Sequence, residues 1–529
     1  MSALSASASQ NRGSKVIPSS HSLSITAFLS LLLVVTSSEW VCAAPGRITI
    51  NLRGENGAPL AGRLHIRNEK REVQRAPDMV SWNDHFVIPG SVTLQLDPGK
   101  YTLEAERGPE YARVNTTFSV DDGDDGQLSV TLKRIAALNR AGWYSGDLHI
   151  HRNPEHVELL LEAEDLNVGP VITWWNDRNL WATRSPPSPL LVKSGARRYY
   201  HLMAGEDERQ GGALLYFGLH TPLPISGSEK EFPSPMTFVA AARKHSKVWI
   251  DIEKPFWWDV PVWLASGQID SIGLANNHMC RSRMYEDEAW GRPRDEQRLP
   301  PPRGNGYWTQ EIYYHLLNAG LRVPPSAGSA SGVLPNPVGY NRVYVHCGDD
   351  FTYDNWWAGL KAGRSFVTNG PLLRVTVNSQ LPGHVFQVPE ATVLGLDIDM
   401  QMTSLDRISA LEIIKNGVIA QRIAVLPQTN VRKKTRLKFA ESGWFLVRAI
   451  ARVDETFRFA STAPFYVEGQ PEPRRISRRS AQFFVQWVDE RIEVVKAALT
   501  DPAKRESVLE HHEAARRFWA NKLARATTE

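Results

Sequence analysis

The chain has 529 residues, 42% of them hydrophobic and 22% charged, a composition that excludes a disordered or fibrous protein. Its formal net charge of +4 is small for this length and does not indicate a nucleic-acid-binding surface. Because a chain this long exceeds one ordinary hydrophobic core, roughly two to four domains are expected.

Residues 1–44 have the pattern of an export signal. Arg12 and Lys15 give a positive start, the run AFLSLLLVV is an apolar core, and VCAAP supplies small residues for cleavage after Ala43 or Ala44. The apolar core is shorter than the about 20 residues of a membrane span. We expect an exported protein, periplasmic or extracellular, with no stable membrane span after cleavage; an uncleaved anchor is the alternative.

Residues 46–135 read as an accessory β-sandwich. Short alternating runs such as RITINL, SVTLQL and QLSVTLKR are separated by turn sequences such as LDPGK and DDGDDG. Residues 376–468 return to the same patterning and predict a second sandwich. A helical hairpin is expected over 478–525, with helices at about 478–499 and 501–525.

Residues 140–375 have a different pattern, in which short apolar runs alternate with helical segments at about 155–166, 235–245 and 308–319. This alternation predicts an α/β sheet or barrel, whose chemistry gathers at the carboxyl ends of the strands. The first of these helices is well marked, because Asn153 can cap it and Pro154 suits its first position.

Two histidines precede that helix in the run GDLHIHR. Residues two apart on a strand point to the same side, so His149 and His151 project together, as two ligands of one ion must. Two polar residues on one strand face are the structural alternative.

Further candidate ligands follow the other predicted strands, and carboxylates and imidazoles from separate strand ends suit Zn²⁺, Mn²⁺ or Fe²⁺. A solvated turn around GEDER, an ion pair of Asp251 or Glu253 with Lys254, and capping by His278 are the structural alternatives. We predict one or two divalent ions, held by His149, His151, Glu206, Asp251 and His278, with Glu206, Glu208 or Asp251 as the catalytic proton acceptor.

The chain has 17 tryptophans, and pairs of them occur near predicted strand ends. Stacking of a sugar or an aromatic ligand is one interpretation, and filling of the core is the other. The candidate substrate-binding residues are Trp174, Trp175, Trp257 and Trp258.

The segments GDLHIHR, AEDL, ITWWND, GEDE and ANNHM, with AGRSFVTNGPLL further on, resemble the CehA/McbA-like branch of the PHP (polymerase and histidinol phosphatase) superfamily over residues 140–375. The resemblance implies a distorted (β/α)7 barrel, similar to a TIM barrel, with two or three metal ions and hydrolysis of phosphoester, carbamate or amide-like bonds. It maps His149 and His151 to the first motif, Glu206 to the ligand after the third strand, and His278 to a later histidine.

The chain departs from that family pattern at three places. TWW (173–175) stands where the family has TDH, Gly212 stands where a histidine follows the glutamate, and Ala330 in GSASG stands where an aspartate falls. The GSASG loop either approaches a ligand closely or is a plain connection.

Two hypotheses follow for the function. The first is an exported metal-dependent hydrolase that acts through a metal-activated water on an ester, amide, carbamate or phosphoester bond of a small-molecule or glycan substrate. The second is a non-catalytic barrel of the same type that binds a carbohydrate or aromatic ligand at the cell envelope. An envelope scaffold is a third reading, supported only by the accessory β-domains. The sequence does not indicate an oligomeric state.

Overall fold

Strands dominate the computed structural model, which describes residues 44–389, 392–426, 428–470 and 474–529. The predicted export signal up to Ala43 lies outside the described residues. At the level of a multidomain, strand-rich chain the expected fold class is confirmed. No helix of the described residues is long and apolar enough to cross a membrane.

The first region is made of two sheets whose apolar faces share one buried cluster. The sheet orders are β6-β1-β9 and β4-β5-β2-β7-β8, with β3 paired to β2. The alternation of buried and exposed residues along β6 follows from the period of two in a strand with one solvated face. The strands are Gly46–Gly54 (β1), Gly62–Asn68 (β2), Val73–Gln74 (β3), Val80–Trp82 (β4), His85–Ile88 (β5), Ser91–Leu96 (β6), Gly99–Glu106 (β7), Val114–Val120 (β8) and Asp125–Leu132 (β9).

The central region holds the candidate site, and most of its strands are buried on both faces, as continuous apolar runs require. Its strands are Trp143–Gly146 (β10), Val168–Trp175 (β11), Arg178–Asn179 (β12), Leu191–Ser194 (β13), Arg198–Arg209 (β14), Gly212–Phe217 (β15), Trp249–Ile252 (β16), Ser271–Ala275 (β17), Pro325–Ala327 (β18), Arg342–His346 (β19) and Ser365–Thr368 (β20). Its helices are Val157–Ala163 (α1), Pro235–Ala242 (α2), Val260–Ala265 (α3), Gly304–Asn318 (α4) and Tyr353–Lys361 (α5).

Strands β10, β11 and β14 pair in parallel, and so do β16, β17 and β18. Strand β15 is antiparallel to both β14 and β16, so the central strands are not all parallel. The backbone N–H of Leu148 donates to the carbonyl of Ala327 at 3.0 Å, and Ile150 bridges both Val171 and Ser331. The segment after β10 therefore lies between the first half of β11 and the end of β18.

The predicted helices of this region are confirmed, with shifted ends. The first is a short 3-10 turn at Pro154–His156 followed by α1, and the Asn153 side chain accepts a hydrogen bond from the N–H of Glu155 at 3.2 Å. The buried stripe of α1 contains Val157, Leu160 and Leu161, the period expected of an amphipathic helix.

The last region contains two further sets of strands around a second buried cluster, followed by two helices. One sheet has the order β21-β23-β26, and the other strands continue the central sheet through β20. The elements are Leu372–Val377 (β21), Val385–Val388 (β22), Leu394–Thr403 (β23), Ile408–Lys415 (β24), Val418–Ala424 (β25), Asn430–Phe439 (β26), Gly443–Ala451 (β27), Phe459–Thr462 (β28), Phe465–Gly469 (β29), Arg478–Ala498 (α6) and Pro502–Ala524 (α7).

Helices α6 and α7 are fixed to the central region by a buried ionic network. The Arg491 guanidinium donates to Asp259 at 2.7 Å and to both carboxylate oxygens of Glu231. The His512 ring lies 3.3 Å from the same Asp259 oxygen. Because every one of these groups is buried, each charge is neutralised only while the helices stay in place.

Candidate metal centre

Asp147 fixes the segment that carries the two histidines. Its carboxylate accepts hydrogen bonds from the backbone N–H groups of His149 at 3.0 Å, Ser329 at 3.0 Å and Gly339 at 2.7 Å. The residue is fully buried, and burial raises the pKa of its carboxyl although these hydrogen bonds lower it. Asp147 thus joins the histidine segment to the loop after β18.

Two glycines of the GSASG loop allow that loop to touch the histidine segment. A Cβ on Gly328 would lie 2.5 Å from the Cβ of His149, and one on Gly332 would lie 2.1 Å from the carbonyl oxygen of His151. Gly332 also has φ +103°, which L side chains rarely adopt. The loop lies directly against the candidate ligands His149 and His151, which accounts for both glycines.

Three side-chain atoms meet between the segment that follows β10 and strand β14. The Nε2 atoms of His149 and His151 are 2.9 Å apart, and they lie 3.4 Å and 3.0 Å from one carboxylate oxygen, Oε2 of Glu206. All three side chains have less than a tenth of their surface exposed. Within the described residues this Oε2 atom is buried and has no hydrogen bond of good geometry.

The triangle of donor atoms fits a metal ion. Metal–ligand bonds of about 2.1 Å at tetrahedral or octahedral angles put neighbouring donor atoms about 2.9–3.4 Å apart. The three measured distances, 2.9, 3.0 and 3.4 Å, fall in that range. Two imidazoles and one carboxylate are also the donor set that Zn²⁺ and Fe²⁺ accept. These residues could hold one divalent metal.

A second layer of polar groups surrounds the triangle. Glu253 lies 3.4 Å from the Nδ1 atom of His149 and accepts hydrogen bonds from Lys254, Asn277 and Trp257. A carboxylate on the far nitrogen of a ligating histidine fixes the orientation of the ring and raises its basicity. The predicted ion pair of Glu253 with Lys254 is present, and the Lys254 amine lies 2.6 Å from the Oε1 atom of Glu253.

Charges at the site shift several pKa values. Burial alone would lower the pKa of His149, but Glu206 and Glu253 raise it to about 10. Burial disfavours ionisation of Glu253, yet Lys254 and His149 lower its pKa to about 2. Burial and the neighbouring Glu206 carboxylate raise the pKa of Glu208 to about 8. Without a metal, a proton on His149 therefore neutralises part of the negative charge.

Asp251 and His278 lie outside the triangle. Asp251 accepts hydrogen bonds from the hydroxyls of Ser271 and Ser326, and burial raises its pKa to about 7. The Nδ1 atom of His278 lies 3.1 Å from the carbonyl oxygen of Asp287, and burial lowers the pKa of the ring to about 3. Among the described residues the only metal-binding group that contains predicted ligands is His149, His151 and Glu206.

Glu208 connects the triangle to a cavity. It lies two residues after Glu206 on β14, so both side chains leave the same face of the strand. A cavity of about 440 Å³ adjoins it, with mixed polar and apolar walls that include Lys230 and Trp290. The Asn176 side chain holds the backbone of Glu208 through both its N–H and its carbonyl.

The four predicted stacking tryptophans differ in their exposure. Trp174 and Trp257 are 2% and 0% exposed. Trp174 packs on Gly205, where a Cβ would lie 1.8 Å from the indole ring. Trp175 and Trp258 are partly buried, and the Trp175 ring lies 5.1 Å from that of His151. A flat ligand could therefore reach part of Trp175 and Trp258 but not Trp174 or Trp257.

Gly211 and Gly212 form a tight hairpin. Gly212 has φ +118°, and a Cβ there would lie 2.3 Å from Trp257. A Cβ on Gly211 would lie 2.1 Å from a carboxylate oxygen of Asp259. The turn between β14 and β15 thus leaves no space for a side chain at either glycine.

The predicted ligand set left out Asp147, Glu253 and Lys254, although Glu253 was a candidate beside Asp251. Glu253 follows Asp251 by two positions and so shares its strand direction, which was the available signal. Which of the two carboxylates reaches His149 depends on the hydroxyls that β17 and β18 supply to Asp251.

Two overlapping groups of ligating residues also occur in the first region: His65, Asp84 and His85, and His65, Glu104 and Glu106. There the acids are already bound by guanidinium groups. Arg67 donates to Asp84 at 3.0 Å, and Arg63 donates to the Nε2 atom of His65 at 3.1 Å. A metal cation placed at either group would be repelled by the neighbouring arginine side chains.

Comparison with known proteins gives no family assignment. No family model matches the chain, and no curated protein matches it. Among solved structures, the Bacillus anthracis TIE protein is similar at 9% identity with a TM-score of 0.14. The similarity covers 82% of this chain and 51% of that one, so the chain spans about half the length of this neighbour.

Proposed function

We propose that this chain is an exported, metal-dependent hydrolase of the PHP type, whose central strands form the family's barrel. The observation that supports the proposal most is the triangle of His149, His151 and Glu206, with donor atoms spaced as a metal requires. The connection of the segment 147–151 to both β11 and β18 supports a barrel-like arrangement of these strands.

A divalent metal held by these three residues would supply Lewis-acid activation of water and of the scissile bond. Glu253 orients the His149 ring through its Nδ1 atom, and Lys254 partly neutralises Glu253. Glu208, with its pKa raised to about 8, holds a proton near neutral pH and faces the adjoining cavity. That proton can be given to a leaving group, which makes Glu208 the general acid rather than the base.

The cavity beside Glu208 favours a small substrate with polar groups. Its walls combine Lys230, Arg209 and Asn176 with Ile225 and Trp290. Esters, carbamates, amides and phosphoesters of small molecules or short glycans all remain within the proposal. Zn²⁺, Mn²⁺ and Fe²⁺ are the proposed metals.

Elemental analysis of the purified protein tests the metal. We expect close to one equivalent or more in the wild type and in the control His220→Ala, whose side chain is exposed. The double variant His149→Ala/His151→Ala should lose it. Absence of metal from the wild type, or equal content in the double variant, overturns the proposal.

Hydrolysis of p-nitrophenyl acetate, a naphthyl carbamate and bis-p-nitrophenyl phosphate tests the reaction. We expect activity on at least one of them, restored by added metal after chelation. A protein that binds metal but hydrolyses none supports the alternative, a binding protein. The nearly complete burial of Trp174 and Trp257 argues against a broad stacking surface in that alternative.

A further inference from the structure

A second buried polar centre lies where the three regions of the chain meet. Its walls include five arginines and three carboxylates, and its volume is about 70 Å³. We call it the arginine cavity and define it by Arg63, Arg113, Arg281, Arg342 and Arg458. Two of the arginines (63 and 113) belong to the first region, two (281 and 342) to the central region and one (458) to the last region.

The carboxylates of this cavity are shared between arginines. Glu106 accepts hydrogen bonds from Arg63 and from Arg281, the latter at 3.1 Å, and lies 3.9 Å from the Nε atom of Arg113. Asp406 accepts from Arg113 and from Arg458, each at 2.9 Å. The third lining carboxylate, Glu164, accepts from Arg63 and lies 3.8 Å from Arg342. With Glu104 on Arg281, four carboxylates contact the five guanidinium groups, so one positive charge has no carboxylate of its own.

At neutral pH the arginines cannot relieve this excess by losing a proton. A buried charge without a partner is costly, so the cavity is stabilised by an added negative charge. The crowding is visible at Arg281, whose pKa is lowered to about 10 by burial and by the Arg63 charge. Glu104 also pairs with Arg281 but stays outside the cavity wall.

Hydrogen-bond donors are available as well as charge. The Nη1 atoms of Arg113 and Arg281 donate to no protein group in the described part of the chain, and both residues line the cavity. Guanidinium groups suit oxyanions because their N–H bonds form a planar fork. The volume is several times the about 10–15 Å³ that one water needs, and it is too small for a bulky organic group.

We propose that the arginine cavity binds a small dianionic oxyanion of the phosphate or sulfate class. Because the arginines approach from several directions, they can donate to the separate oxygens of a tetrahedral anion. A flat carboxylate ligand would offer acceptors in one plane only. Since the walls come from three regions, the bound anion links these regions and raises the thermal stability of the whole chain. This site is separate from the proposed hydrolytic centre and does not depend on it.

Thermal unfolding, followed by tryptophan fluorescence at constant ionic strength, measures this effect with inorganic phosphate and sulfate. Sodium chloride is the control, because general salt exclusion does not saturate at low concentration. We expect a saturable rise of the midpoint with phosphate or sulfate and none with chloride. No saturable rise with either dianion overturns the proposal.

Variants locate the site. Arg281→Gln and Arg113→Gln should weaken phosphate binding by a factor of about ten or more, which corresponds to about 1.4 kcal/mol. Arg113 is 32% exposed, so its variant is expected to fold even where Arg281→Gln does not. The matched control Arg432→Gln, on the surface of β26, should bind phosphate like the wild type. Equal binding by Arg113→Gln and the wild type overturns the assignment.

Isothermal titration calorimetry with phosphate compares the affinity of the wild type and the variants in the folded state. Phenyl phosphate carries the same charged group on a ring that adds bulk to a cavity of about 70 Å³, so it should compete more weakly than inorganic phosphate. Equal competition by phenyl phosphate would contradict a site sized for a free oxyanion.

Discussion

In the candidate metal centre three carboxylates face a single ammonium group, whereas in the arginine cavity five guanidinium groups face three carboxylates. Both places are buried, and both carry excess charge, but the signs are opposite. The metal centre adjusts through protons, since His149 and Glu208 both have raised pKa values. The arginine cavity has no such freedom and shares its carboxylates instead. The groups of the metal centre can hold protons that reduce its negative charge until a cation binds, whereas the guanidinium groups stay charged at neutral pH.

The largest expected effect is the loss of stability on removing the shared carboxylate of the arginine cavity. Glu106→Gln leaves three arginines without their common partner, so we expect the free energy of unfolding to fall by about 3–5 kcal/mol. Urea unfolding measures it. Glu104→Gln is the control, because Glu104 is 26% exposed and its ion pair is with Arg281. Equal losses in the two variants would show that sharing has no special role.

The next largest effect concerns the metal centre. Outer groups of a metal site typically contribute about 10–100-fold in affinity, so Glu206→Gln, which removes a direct donor, should weaken metal binding by about 100-fold or more. Glu208→Gln, two residues away, should keep the metal and lose hydrolysis. Competition with a fluorescent chelator measures the affinities. Retention of metal by Glu206→Gln would break the contrast between the two glutamates.

The pH dependence of metal binding comes next in size. Because Glu206 and Glu253 raise the pKa of His149 to about 10, a metal must displace its proton at neutral pH. Apparent affinity should therefore rise by about tenfold per pH unit from about pH 7 towards 10. Chelator competition at several pH values gives the slope. Phosphate binding in the arginine cavity should not rise in this way, since its guanidinium donors are protonated at neutral pH and loss of the Arg281 proton towards pH 10 would weaken binding.

Stability of the metal-free protein should follow the same proton. The folded pKa of His149 lies above its unfolded value of 6.5, so its contribution is complete below about pH 6.5 and is lost as pH rises towards 10. Asp251, with its pKa raised to about 7, acts in the same direction over lower pH. Urea midpoints with and without metal should separate as pH rises. A metal-free protein that is equally stable at pH 7 and 9.5 would contradict the pKa assigned to His149.

The smallest change in the free energy of unfolding is expected at exposed arginine–carboxylate pairs. Arg432 binds Asp399 and Arg436 binds Asp397 across β23 and β26, each through two hydrogen bonds. Solvent screens such pairs, so Arg436→Gln should leave the urea midpoint unchanged. A clear loss there would mean that pairing alone, and not burial, sets the cost seen with Glu106→Gln.

Part of the candidate site could be predicted from the sequence because it depends on local rules. The period of two along a strand predicts that His149 and His151 project together, and the end of the third long strand predicts Glu206. The choice between Asp251 and Glu253 depends on hydroxyl groups of Ser271 and Ser326, which no local pattern reports.

Other features escaped because they arise from contacts between distant residues. Trp174 is covered by its fit to Gly205 on another strand, so the sequence WW alone does not distinguish a core residue from a platform. The hairpin that reverses the chain into β15 has room only for glycine at positions 211 and 212, because Asp259 and Trp257 fill the adjoining space. The arginine cavity brings together residues that are spread from position 63 to position 458.

Helices α6 and α7 follow the central region in the chain, so the buried ionic network can form only after they have been synthesised. Arg491 follows its partner Asp259 by 232 residues, which at about 5–20 residues per second is about 10–50 seconds of translation. During that interval Asp259 and Glu231 lack the cation that their buried positions require. The turn that packs on Asp259 connects β14, the strand of Glu206, to β15. A truncated product that lacks α6 would therefore carry the three candidate metal ligands in a region whose buried acids Asp259 and Glu231 lack their cation.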